Sequence, residues 1–151
     1  MATLNGVLVP DNIVVGLNVS YTVPAGKVAL VRATLSATNV GSVTSNYGST
    51  SEYPAVTGNS STGNVDLTLR AGDIISSVRT TGTGSTNNTS NVMASRVASC
   101  TTVMTVNGSN ACSVNASASA SNHNTSPGAG VVTNTTTGVA DFGFFAEEYF
   151  A

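Results

Sequence analysis

Charge is what this chain has least of. Only 8% of its 151 residues are Asp, Glu, Lys or Arg, against roughly 25% in an ordinary soluble domain. The basic residues are Lys27, Arg32, Arg70, Arg79 and Arg96, and they form no run. The clustered cationic face that neutralises nucleic-acid phosphates is therefore missing, and no nucleic-acid partner is expected. The same scarcity, with a net charge of -2, argues against an anionic membrane surface. No stretch approaches the ~18 consecutive apolar residues of a membrane-spanning helix. The start, "MATLNGVLVPDN", has no basic segment, and Asn5, Gly6 and Pro10 interrupt its apolar run. The expectation is synthesis and folding in a cytoplasm without a targeting signal.

Catalytic groups are almost as scarce. The single histidine, His123, sits in "SNHNTS", a polar stretch expected to be a solvated loop rather than an oriented general base. The carboxylates are Asp11, Glu52, Asp66, Asp73, Asp141, Glu147 and Glu148. Only Glu147 and Glu148 are adjacent, and neighbours on a strand point to opposite faces. One His and two Cys do not supply a zinc site, and no loop has the oxygen-ligand density that calcium takes. "GTGSTN" lacks the Lys and following helix of a phosphate loop. No enzyme, cofactor or metal is expected. The Asn-x-Ser/Thr sequons are what so much Asn, Ser and Thr produces by composition alone.

What the chain does have is alternation. Nearly half of its positions are Ser, Thr, Asn or Gly, yet 40% are hydrophobic and mean hydropathy is +0.17. A polar, nearly uncharged surface over a folded core follows, and such a surface gives little electrostatic protection against self-association. Ile13, Val15, Leu17, Val19 and Tyr21 alternate with polar residues, and Ala29, Val31, Ala33, Leu35 and Ala37 continue after "PAG". If Pro24-Ala25-Gly26 closes a hairpin, these two rows pair residue for residue on one apolar face. The alternative is a corner carrying the chain from one sheet to another. "NVDLTLRAGDII" repeats the pattern, with Val65, Leu67 and Leu69 on one face and Asp66, Thr68 and Arg70 on the other.

Further strands are expected over 3–9, 92–106, 111–119, 131–136 and 139–149, separated by long polar loops. The Gly, Thr and Asn content works against helices. Asn107-Gly108 has the chemistry of a two-residue hairpin turn. In that register Cys112 faces Val103 and Cys100 faces Asn115, on opposite faces, which leaves both thiols reduced. The organisation is all-β: a two-sheet antiparallel β-sandwich of about eight to ten strands. Residues 1–11 form an N-terminal arm or edge strand, and 12–151 a single sandwich domain.

Aromatics are few and concentrated. Phe142, Phe144, Phe145, Tyr149 and Phe150 all lie in "ADFGFFAEEYFA". Phe142 and Phe144 share a face and suit a core strand. Phe145, Tyr149 and Phe150 are the candidate subunit interface, since an apolar chain end is best buried against another copy. In the arm, Leu4, Val7 and Val9 are candidate contacts through which "TLNGVLVP" could add a strand to a neighbour, the alternative being an edge strand of the chain's own sheet.

"YTVPAGKVALVRATLSATN", "LTLRAGDII" and the terminal "FGFFAEEY" resemble the small β-sandwich virion proteins of tailed bacteriophages. The resemblance covers roughly residues 13–38, 64–79 and 138–150. It implies a jelly-roll or tumour-necrosis-factor-like fold, homotrimers, no cofactor and no catalytic residues. Two roles occur in that group: capsid decoration (cement) proteins on the head, bound to the major capsid protein, and receptor-binding tips of tail fibres. Small size and the absence of a shaft favour decoration. A tail adhesin would use the polar loops, in which Tyr47 and Tyr53 are the only aromatics. A cellular β-sandwich binding module is the remaining alternative.

Overall fold

The computed structural model describes residues 3–4, 7–45, 54–125 and 130–151. Among them the protein is all-β and antiparallel, with no helix. In chain order the strands are β1 (Thr3–Leu4), β2 (Val7–Leu8), β3 (Asn12–Leu17), β4 (Tyr21–Thr22), β5 (Lys27–Ser45) and β6 (Ala55–Arg70). They continue with β7 (Ile74–Thr80), β8 (Gly84–Asn88), β9 (Met93–Val106), β10 (Ser109–His123) and β11 (Val132–Phe150). Strands β1 and β2 pair only with each other. The others form one nine-stranded sheet in the order β3-β11-β5-β6-β10-β9-β7-β4, with β8 also on β11. The sheet curls until β9 and β10 lie against β5 and β11, which makes the molecule nearly barrel-shaped. Thr102 Oγ1 donates across the interior to Ser36 O at 2.8 Å. Strand β6 carries the curl: residues 59–70 pair with β5, and residues 55–58 with β10.

The best alternation in the sequence is half right. Ala29, Val31, Ala33, Leu35 and Ala37 are all buried. Lys27 N donates to Pro24 O, and Gly26 takes a φ of 74°, so the Pro-Ala-Gly turn forms. It is the corner, however, and not the hairpin. Tyr21 and Thr22 pair with Ile75 and Ile74 of β7, whereas β5 pairs with β11 and β6. Strand β3 lies on the far side of β11, in register Val15↔Phe145 and Gly16↔Phe144. The aromatic β11 thus takes the place between β3 and β5 that local pairing would have closed. Phe142 and Phe144 project from it into the core, with Tyr21 and Phe144 ring centroids 5.3 Å apart. A side chain at Gly16 would meet Phe144 Cε1 at 2.3 Å, so the central aromatic strand needs a glycine beside it.

The segments expected as polar loops are largely strand. β10 runs to His123 because "ASASASN" buries Ala116, Ala118 and Ala120 while Ser117, Ser119 and Ser121 face outward. Small side chains let the layers approach closely here: a Cβ on Gly41 would lie 2.3 Å from Ser119 O. The interior at this end is also polar, with Asn39, Asn88, Asn122, Asn124, Asn134 and Thr136 all buried. The other end holds the aliphatic and aromatic core of Val23, Leu35, Leu69, Ile75, Met104 and Phe142.

Two turns behave as their sequences require. Ala71-Gly72-Asp73 leads into β7, with Asp73 N donating to Arg70 O at 3.0 Å and Gly72 at φ 87°. Asn107-Gly108 joins β9 to β10 with both residues at positive φ. A bulge between Asn110 and Cys112 then shifts the register, so Cys112 pairs with Met104 and Cys100 with Ala116. That corrects the expected pairing and puts both cysteines on the inward face. They are still separate free thiols, four positions apart along β9, roughly 13 Å at strand rise.

Candidate functional site

The feature that chemistry has to explain lies on the outside of the sheet. Val15 is 72% exposed, Leu17 65% and Ile13 51%, although the sequence pattern assigns all three to the core. Their strand ends at Asn18, which adopts φ 56°. Asn18 N donates to Phe142 O at 2.6 Å, its Oδ1 accepts from Phe142 N at 2.7 Å, and its Nδ2 donates to Asp141 Oδ1 at 3.0 Å. This clamp fixes β3 against β11 with Val14 and Gly16 inward. The chain then crosses to the opposite edge of the sheet, and Tyr21 re-enters the core.

The outer face can be read row by row across β3, β11, β5 and β6. One row is Ile13, Glu147, Leu30, Thr68; the next is Val15, Phe145, Arg32, Asp66; the third is Leu17, Gly143, Thr34, Asn64. Ile13, Val15, Leu17, Leu30 and Phe145 are all exposed, and together they form an apolar strip on the outer face of the sheet; other exposed apolar side chains, Val78, Val92, Met93 and Val97 among them, lie elsewhere on the molecule. Leu30, Arg32, Asp66, Thr68, Phe145 and Glu147 border a shallow depression of ≈ 320 Å³ on this strip. Arg32 Nε lies 3.6 Å from Asp66 Oδ1 at its rim, with both side chains well exposed. Such a pair contributes little to stability.

Of the candidate interface residues, Phe145 is the one set into this strip. Tyr149 is half-buried beside it, and its hydroxyl donates to Glu147 Oε2 at 2.8 Å. That hydrogen bond, more than burial, holds the Tyr149 phenol above its ordinary pKa. Phe150 is exposed at the strand end, with Lys27 Nζ 3.4 Å from its ring centroid. Lys27 also pairs with Asp11, and Ala151 N donates to Gly26 O. The three aromatics therefore belong to one strand but not to one patch. In the arm, Leu4 is in register with Val7 in the β1–β2 pair, which is separate from the main sheet, and Val9 is half-buried. Tyr47 and Tyr53 lie outside the described residues.

Glu147 and Glu148 do point to opposite faces. Glu148 is buried, and its carboxylate accepts from Tyr21 Oη at 2.6 Å and from Asn12 Nδ2 at 3.0 Å. Burial, then the Glu148 hydrogen bond, pushes the Tyr21 phenol far above its ordinary range. The triad ties β3 and β4 to the end of β11. His123 is not in a loop, as its polar setting suggested: it closes β10, paired with Met93. Among the described residues, no three His, Cys, Asp or Glu side chains gather as a metal-ligand set.

Sequence reasoning missed the exposure of β3 and the Tyr21–Glu148 contact. The signal for the first was present in the run Ile13-Val14-Val15, which offers an apolar side chain to both faces of a strand. Comparison with known proteins adds nothing further: no family model, no curated protein and no solved structure matches this chain.

Proposed function

We propose that this chain is a bacteriophage capsid decoration (cement) protein, a non-enzymatic homotrimer that binds the major capsid protein at the head surface and stabilises the shell. The observation that carries this reading is the apolar strip of Ile13, Val15, Leu17, Leu30 and Phe145 on the outer face of the sheet. Exposed apolar side chains in a contiguous group mark a surface that another protein covers. Apart from Glu147 and the Arg32–Asp66 pair, the rows of this strip carry no charge that covering it would desolvate. The β1–β2 hairpin is a second contact element, separate from the sheet and carrying Leu4 and Val7. In the two-sheet, jelly-roll-like terms of the phage family, β6 is the strand that passes from one layer to the other. The site of action is then the virion, with no nucleic-acid or membrane partner.

A tail adhesin is the second reading, and one observation favours it. At the far end of the outer face, Thr133, Thr135 and Thr137 of β11 lie beside Ser42 and Thr44 of β5 and Ser85 and Asn87 of β8. That hydroxyl and amide surface is free of charge and suits a neutral glycan. Copy number decides between the two. Quantitative mass spectrometry of purified particles against the major shell protein gives hundreds of copies for a decoration protein and a few tens at most for an adhesin. Absence from the particle overturns both.

A further inference from the structure

Among the described residues, strand β3 is an edge of the sheet, and its backbone completes what its side chains begin. In an antiparallel ladder, both backbone groups of alternate residues point to the same side. Asn18 N bonds to Phe142 O, so the N–H and C=O groups of Asn12, Val14 and Gly16 face β11. Those of Ile13, Val15 and Leu17 face away from it. The three residues with exposed apolar side chains are thus the three with open backbone groups. Edge strands are normally guarded by a charge, a proline or a bulge. The stretch "NIVVGL" has none of these.

The edge is also self-complementary. About a two-fold axis through Val15, antiparallel pairing sets Val15 against Val15 of the second copy and Ile13 against its Leu17. All the open N–H and C=O groups of these residues find partners, and the outer side chains in contact are all apolar. On the inner face Val14 meets Gly16, and Asn12 meets Asn18. Charge selects the same orientation. Asp11, paired with Lys27, comes opposite Val19, whereas parallel pairing would bring two Asp11 side chains together. The Phe145–Val15 row continues across the junction as Phe145, Val15, Val15, Phe145.

We infer that β3 is a pairing edge for a second copy of this chain, in antiparallel register centred on Val15. The contact goes beyond the decoration reading, and in a threefold assembly it would join one trimer to the next.

The test uses the purified full chain in a Cys112→Ser background, Cys100 being buried, with a short thiol-specific cross-linker. Val15→Cys should give a two-chain product. Ile13→Cys alone should give about tenfold less, because its own copies lie roughly 14 Å apart along the strand. An equal mixture of Ile13→Cys and Leu17→Cys chains should recover the product. A Val15→Cys chain that stays single overturns the inference, as does an Ile13→Cys chain that links to itself equally well. Val15→Lys provides a check without cysteines: its sedimentation mass should fall below that of the unaltered protein, and an unchanged mass also counts against the pairing. None of these readouts depends on a phage particle, so failure here and failure of the decoration reading are separable.

Discussion

The Tyr21 hydroxyl reaches Glu148 Oε2 at 2.6 Å, joining residues at opposite ends of the chain inside the core. Among the described residues, no cation makes an ion pair with Glu148. The neutral donors Tyr21 and Asn12 hold it, and hydrogen bonds to a buried charged group are the strong ones. Tyr21→Phe is therefore expected to cost about 1.5–3 kcal/mol, read as a lower denaturant midpoint at pH 7. Tyr149→Phe, which loses only an outward contact to Glu147, should leave the midpoint nearly unchanged. Equal losses in the two variants would show that the Tyr21–Glu148 bond is not formed.

The same contact gives a pH signature. The folded state holds the Tyr21 proton more tightly than the unfolded chain, whose phenol titrates near 10. The corresponding stability is complete below that pH and is lost as pH rises above it, when the unfolded phenol ionises. Denaturant midpoints measured from pH 8 to 11.5 should fall above about pH 10, and Tyr21→Phe should flatten the fall. Parallel curves for the two proteins would contradict this.

Val15 and Val31 separate the observed arrangement from the hairpin the sequence suggests. That hairpin makes the two positions equivalent, both buried on one face. In the structure Val31 is buried and Val15 is not. Val15→Asp should still give a folded, soluble chain, while Val31→Asp should leave no soluble folded protein. Ser20→Asp, at an exposed site, should also be tolerated. Circular dichroism and soluble yield report all three. Insolubility of Val15→Asp would restore the hairpin.

The contrast shows what a single sequence conveys. Period-two alternation identified β5 and the β6 core face, because large apolar residues there meet polar neighbours at every step. It also located the turns at Gly26, Gly72 and Gly108, where positive φ leaves glycine as the least strained choice. It did not identify partners. Nothing in "NIVVGLNV" says that its ladder is with β11, more than a hundred residues away, and Val14 and Val15 serve either face equally. The long "loops" were misread for a related reason. Ala116, Ala118 and Ala120 alternate with serines as regularly as leucines would, but alanine carries too little hydropathy to stand out. The assembly strip was only partly legible, since Phe145 marks it from sequence and the β3 row does not.

The alanine ladder leads to a last expectation. Ala118 is inward and buried, on a strand where Gly41 leaves its neighbour Ser119 O only the space of a hydrogen. Enlarging an inward position there has to push two backbones apart or displace Arg96, whose guanidinium is held by Thr136 Oγ1 and Gly82 O. Ala118→Leu should cost about 1–3 kcal/mol from overpacking, while Ser117→Leu, on the exposed side of the same strand, should change stability little. Because the interior at this end is mostly Asn, Ala and Thr, with Val132 and Arg96 among them, the loss should appear locally. Amide hydrogen exchange should quicken in β10 and the facing part of β5 before it does around Phe142. Uniform acceleration across the sheet would mean that the polar and apolar ends unfold as one unit.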